Sequence, residues 1–195
     1  MRSYEFAILL ERNTRRTNKS SKATYKSGEN GPVSSPAVPD HGPNKFLTVF
    51  IDGASSGNGQ EIAQAGIGVY WGPGNKLNTS LRLLGRQTNN RAEILAAVHA
   101  LKQAKELGIT NIRVCTDSQF LINGITKWID KWKDNNWKTS TGKPVINKDE
   151  FLELEKVCQG INVDWRYVKA HNKNHGNCEA DKLAVAGCNK SPGIP

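Results

Sequence analysis

The chain has 195 residues, 37% of them hydrophobic, and a formal net charge of +9. That length supports one compact core with a tail and excludes two large cores. No apolar run approaches the roughly 18 residues of a membrane-spanning helix, so no membrane association is expected. The basic excess suits a polyanionic partner, although the same charge can serve solubility alone.

The first residues, Met1–Leu10, hold a short apolar stretch broken by Glu5 and followed by no small-residue cleavage site, a poor secretory signal. Arg12, Arg15 and Arg16 among Ser and Thr resemble a mitochondrial presequence, against which Glu5 and Glu11 count. The expected location is intracellular, nucleus or cytoplasm, with the mitochondrion as the alternative. The four cysteines form no CxxC pair and read as reduced thiols, with Cys115 buried in a strand. Residues 1–44 read as a disordered basic tail: they are rich in Ser, Thr, Asn, Lys, Gly and Pro, with four prolines between Gly31 and Pro43.

At Lys45 the pattern changes, and residues 45–190 read as one domain, with 191–195 a short C-terminal tail. Phe46–Ile51 is apolar and β-branched and predicts a strand that turns at Asp52-Gly53. Two further strands, Ala65–Trp71 and Leu77–Leu84, flank Gly72-Pro73-Gly74 and suggest an antiparallel meander. Asn90–Leu107 has helical spacing, with Ile94, Ala97, Val98, Leu101 and Ala104 on one face and Gly108 as a stop. Ile112–Thr116 predicts a strand ending at Asp117-Ser118, and Gln119–Ile125 a helix. A Trp/Lys-rich segment runs from Lys127 to Lys143, followed by a helix over Asp149–Cys158, a strand over Ile161–Val168 and a last helix over Asn177–Ala186. Strands that pair antiparallel and then alternate with helices give an α/β fold with a mixed sheet and helices on its faces.

Asp52 and Asp117 each follow an apolar strand, where sites gather in open α/β sheets and where Asp is also an ordinary turn residue. Glu93 lies near a helix start, a position that also complements the helix dipole, and Asp181 lies in the last helix. Four acids brought together would suit hard divalent cations such as magnesium, two of which can assist phosphodiester hydrolysis. Spacing alone does not bring them together.

The motifs Phe50-Ile-Asp-Gly53, Gly85-Arg-Gln-Thr-Asn-Asn-Arg-Ala-Glu93, Thr116-Asp-Ser118, Ile122-Asn-Gly-Ile-Thr126, Trp137-Lys-Thr-Ser140, Val145-Ile-Asn147 and Gly176-Asn-Cys-Glu-Ala-Asp181 occur in one order. Over Phe46 to about Lys190 the chain thereby resembles type 1 ribonuclease H, in particular the animal enzymes. The resemblance implies a five-stranded mixed sheet flanked by helices. It also implies an endonuclease that cuts the RNA strand of RNA–DNA hybrids, as a monomer, to 5′-phosphate and 3′-hydroxyl ends. Two magnesium ions, or manganese, would be held by Asp52, Glu93, Asp117 and Asp181, and His171 would aid proton handling or product departure. Arg86, Thr88 and Asn147 would form a pocket for a DNA phosphate. Phe120, Trp128 and Trp132 would line a channel for deoxyriboses, with Ser140 as a nearby backbone contact. Asn58, the Ser55–Gly57 turn and Glu93, and secondarily Asn89 and Gln119, would meet the ribose 2′-hydroxyls.

The residues themselves agree in part: Trp128 and Trp132 are four apart, hence on one helix face, with Lys127, Lys131, Lys133 and Lys138 nearby. The chain departs from the family in three places. Residues 1–44 lack the pattern of the hybrid-binding domain often found there, the turn after Asp52 lacks the adjacent cysteines of some animal relatives, and Asn172 follows His171 where glycine is common. Three rival readings are a non-catalytic hybrid binder, a retroelement domain and a binder of double-stranded RNA. The complete carboxylate set favours the enzyme.

Overall fold

The structure is a computed structural model and describes residues 46–57, 63–170 and 174–191. The predicted residues Asn58 and His171, and the tail 1–44, lie outside the described residues. Five strands form one mixed sheet: β1 (Leu47–Ser56), β2 (Gln64–Tyr70), β3 (Thr79–Arg82), β4 (Asn111–Thr116) and β5 (Asn162–Tyr167), in the order β3-β2-β1-β4-β5. β1, β2 and β3 pair antiparallel, as the tight turns predict, whereas β4 lies parallel to β1 and β5 parallel to β4.

The first strand differs from expectation. β1 does not turn at Asp52-Gly53 but continues to Ser56, because β2 pairs with it through Asp52↔Gly68 and on to Ser56↔Gln64. Its parallel pairing with β4 ends at Phe50↔Cys115. Asp52 therefore lies inside a strand, two residues past the point where β1 and β4 part, and Asp117 directly follows the end of β4.

α1 (Asn89–Glu106) lies between the sheet and α4 (Lys148–Cys158), so it buries more than the single face its periodicity predicts. Ile94, Ala97, Val98, Leu101 and Ala104 are buried, and so are Ala96 and Ala100. Alanines at these positions let the helix approach two neighbours closely. Fully buried Val49, Ile51, Ile112, Val114, Leu121, Phe151 and Leu154 complete the core.

The Trp/Lys-rich segment begins as helix, in keeping with the shared helix face of Trp128 and Trp132, but contains an unpredicted wide turn. α2 (Gln119–Asn123) runs into a π-helical turn, Gly124–Trp128, and then α3 (Ile129–Asp134). Beyond α3, two non-glycine residues take the left-handed region, Asn136 (φ 49°) and Trp137 (φ 57°). The Trp137 N–H then bonds to Trp132 O at 2.6 Å, which folds the Trp137 ring back beside Trp132.

α5 (His175–Cys188) starts two residues earlier than predicted, because the Asn174 side chain caps it by accepting from the Asn177 N–H. It crosses β1, β2 and β3. All four cysteines are free, and Cys115 is buried in β4. No helix among the described residues is long and apolar enough to cross a membrane.

Candidate functional site

Each acid is placed by a different element. Asp52 comes from the middle of β1, Glu93 from the first turns of α1, Asp117 from the end of β4 and Asp181 from α5. Two glycines allow these elements to meet. A Cβ at Gly53 would overlap the backbone of Ala92 and Glu93, so its absence lets α1 carry Glu93 to the strand. A Cβ at Gly68, the cross-strand partner of Asp52, would overlap the Ala180 carbonyl, so α5 can bring Asp181 to the same point.

Ligand oxygens of Asp52, Glu93 and Asp117 lie within 4.8 Å of one another, and Asp52 and Glu93 are buried. Asp181 is close enough to hydrogen-bond Asp52. Burial, followed by the charges of Asp117 and Asp181, pushes the Asp52 carboxyl up to about 8, with the Gly53 N–H acting against it. Burial and the charges of Asp52 and Asp117 raise Glu93 well above the usual carboxylate range. Glu93 Oε2 is buried with no hydrogen-bond partner. An all-oxygen donor set, an unused carboxylate oxygen and mutual repulsion that a cation would relieve fit a hard divalent ion.

Arg86, Thr88 and Asn147 also converge. Arg86 donates to Asn147 Oδ1 and, at 3.4 Å, to Ile146 O. Thr88 is the N-cap of α1 and Asn147 the N-cap of α4, yet neither side chain makes a capping bond. The Thr88 hydroxyl is buried without a partner. Two helix N-termini, an unused hydroxyl and a guanidinium, the last also 3.8 Å from the Glu150 carboxylate, are donor groups of the kind that suits an anion. Arg91 has no role in the sequence reading but holds this arrangement together. Its Nε donates to Glu150 Oε1 of α4 at 2.6 Å, and its Nη1 donates to the carbonyls of Leu84 and Arg86.

The aromatic residues form a continuous cluster. Ring centroids are 6.0 Å apart for Phe120–Trp128 and 5.7 Å for Trp128–Trp132, and Phe151 lies against both Phe120 and Trp132. Trp128 and Trp132 are half-buried. Lys127, Lys131 and Lys138 are exposed beside them, whereas Lys133 pairs with Glu155. Ser140 is exposed in a turn closed by the Lys138↔Pro144 bridge. Asn89 opens α1, and Gln119 opens α2 and lines a hollow of about 330 Å³ with Asn123, Lys127 and Tyr167.

Residues 44–189 match the family model described as RNase H. The chain belongs to the RNase H family. It is 52% identical over 147 residues to Ribonuclease H1 of Rattus norvegicus, covering 75% of this chain and 52% of that one. With Ribonuclease HI of Pasteurella multocida it shares 40% identity over 146 residues, which is 73% of this chain and 90% of the bacterial one. The chain thus spans about half the length of the mammalian relatives it matches and nearly all of the bacterial ones. In fold it is similar to the crystal structure of LC9-RNase H1, described as a type 1 RNase H with the type 2 active-site motif. That likeness has a TM-score of 0.57 and 26% identity, over 74% of this chain and 73% of that one. The RNase H fold and its five-stranded mixed sheet are those implied by the sequence motifs.

Sequence reasoning missed Asn177. Its Nδ2 donates to Asp117 Oδ2 at 3.0 Å. The available signal was its place one helical turn before Asp181, on the same face.

Proposed function

We propose that this chain is an endonuclease that hydrolyses the RNA strand of RNA–DNA hybrids to 5′-phosphate and 3′-hydroxyl ends. Asp52, Glu93, Asp117 and Asp181 would hold two divalent cations, magnesium or manganese. The observation that carries this reading is the buried carboxylate cluster, whose repulsion and unused Glu93 Oε2 call for a cation. When bound, such ions supply Lewis acidity toward the scissile phosphate and the attacking water. In the hydrolysis a water hydroxyl adds to phosphorus, the bond to the 3′ oxygen breaks, and that oxygen takes a proton.

The remaining residues position the hybrid. Arg86, the Thr88 hydroxyl and the Asn147 amide bind a phosphate of the DNA strand. They lie at the N-termini of α1 and α4, and Glu93 lies one helical turn along α1, so the DNA contact and the acidic centre share one rigid element. The solvent-facing parts of Phe120, Trp128 and Trp132 lie against deoxyriboses, which have no 2′-hydroxyl to desolvate, and Ser140 adds a contact at their edge. Asn58, Asn89 and Gln119 meet the RNA strand. His171 aids proton handling or product departure.

The direct test is cleavage of a labelled RNA–DNA hybrid in magnesium, with duplex RNA and duplex DNA as controls. The hybrid alone should be cut, and only in its RNA strand. The Asp52→Asn variant should bind the hybrid and leave it intact. Unchanged turnover in that variant, or equal cutting of the three duplexes, would reject the reading.

A further inference from the structure

α5 enters the acidic centre through Asn177 as well as Asp181. Asn177 is only 4% exposed. Its backbone N–H is taken by the Asn174 cap, and its side-chain Nδ2 donates to Asp117 Oδ2 at 3.0 Å. The remaining polar atom, Oδ1, is buried without a hydrogen-bond partner among the described residues. Buried amide oxygens are rarely left without a donor, and those that are ask for an explanation such as a water or ion. Here the unused acceptor sits in the side chain that holds Asp117, one of the three clustered carboxylates.

We propose that Asn177 is a positioning residue for the cation site: Nδ2 fixes the Asp117 carboxylate, and Oδ1 accepts a hydrogen bond from a water that hydrates the bound ion. The inference rests on the reading of the carboxylates as a divalent-cation site. A neutral amide suits this place. It donates to Asp117 without adding charge beside four carboxylates, and it offers an acceptor where magnesium retains several of its waters. Groups that orient a metal ligand in this way commonly govern affinity without touching the ion. The placement also ties the cap of α5 to the end of β4, because the residue capped by Asn174 is the one that holds Asp117.

The test is calorimetric titration of Mg2+ and of Mn2+ into the full chain, for the parent, Asn177→Ala and Asn177→Ser. Serine keeps a small polar group near the helix start but cannot reach Asp117. Melting temperature is recorded in chelator alongside. Both variants should bind each ion about tenfold more weakly, as expected on losing a group that orients a ligand. A purely structural role would lower the melting temperature and leave the dissociation constant of the folded protein at the parent value, which overturns the proposal. A parent that binds neither ion overturns the cation reading and this inference together. A parent that binds, with variants that bind equally well, overturns this inference alone.

Discussion

Asp52 and Glu93 are carboxyls held where burial and their neighbours' charges oppose ionisation. A carboxyl whose folded-state pKa exceeds its unfolded value keeps its proton longer in the fold. Stability is then greatest below the unfolded value of 3.8 and is lost as pH rises through the folded value of about 8. In chelator the melting temperature should fall between those limits, and Asp52→Asn should flatten the decline. Saturating magnesium should raise the melting temperature of the parent increasingly toward the alkaline end, because the ion binds the ionised cluster. Melting curves across pH with and without the ion check both statements, and equal slopes for parent and Asp52→Asn would reject the first. Arg86 acts differently: besides its bonds to Asn147 and Ile146 and its pairing with Glu150, the proposed function gives it a phosphate of the hybrid. Arg86→Ala should weaken hybrid binding and reduce the slope of log affinity against log salt by roughly one, the share of a single phosphate contact. A filter-binding series at several salt concentrations measures it.

Between elements, glycine and helix pitch decide which side chains meet. Gly53→Ala should push α1 from β1 at a cost of about 1–3 kcal/mol, typical of overpacking, and move Glu93 away from Asp52. Chemical denaturation and magnesium titration should both report it. The π-helical turn has an equally specific effect. At about 100° per residue a regular helix would set Phe120 and Trp128 about 80° apart around the axis; one extra residue in a wide turn brings them back to within about 20°. The turn is accommodated at Gly124, where a Cβ would overlap the Phe151 ring. Deleting exposed Thr126 should convert the turn to regular helix while keeping both rings on one face. Hybrid affinity should then stay within about threefold of the parent, whereas a loss above about tenfold would mean the wide turn itself shapes the groove.

Across the whole molecule, the described core is closed by the sheet, α1, α4 and α5, and the family match begins at residue 44. Residues 1–44 have no periodic apolar pattern to add to it. A fragment starting at Lys45 should therefore keep its melting temperature within about 3 °C of the full chain, the shift that about 1 kcal/mol produces in a domain of this size. It should also keep its rate on short hybrids. A larger drop in melting temperature would show that residues 1–44 pack on the domain. The basic excess of +9 operates at this scale too, favouring encounter with a polyanion wherever it docks.

The sequence by itself determined the sheet-forming segments, the long helix α1 and, through ordered motifs, the family and its acidic residues. Apolar periodicity and turn chemistry are local, and a motif keeps its order whatever its fold does in space. It placed Asp52 in a turn, because Asp-Gly ends a strand by local preference; pairing with β2, invisible to local pattern, carries β1 on to Ser56. It put Trp128 and Trp132 on one helix face but drew no helix bounds in the Trp/Lys segment, where a π-helical turn interrupts the 3.6-residue period by which helices are read. It gave Asn177 and Arg91 no role, since their partners lie 60 and 59 residues away. Convergence of four acids from four elements, and the burial that raises Asp52 and Glu93, belong to the tertiary structure alone: desolvation and mutual repulsion exist only once close packing at Gly53 and Gly68 has brought the chain segments together.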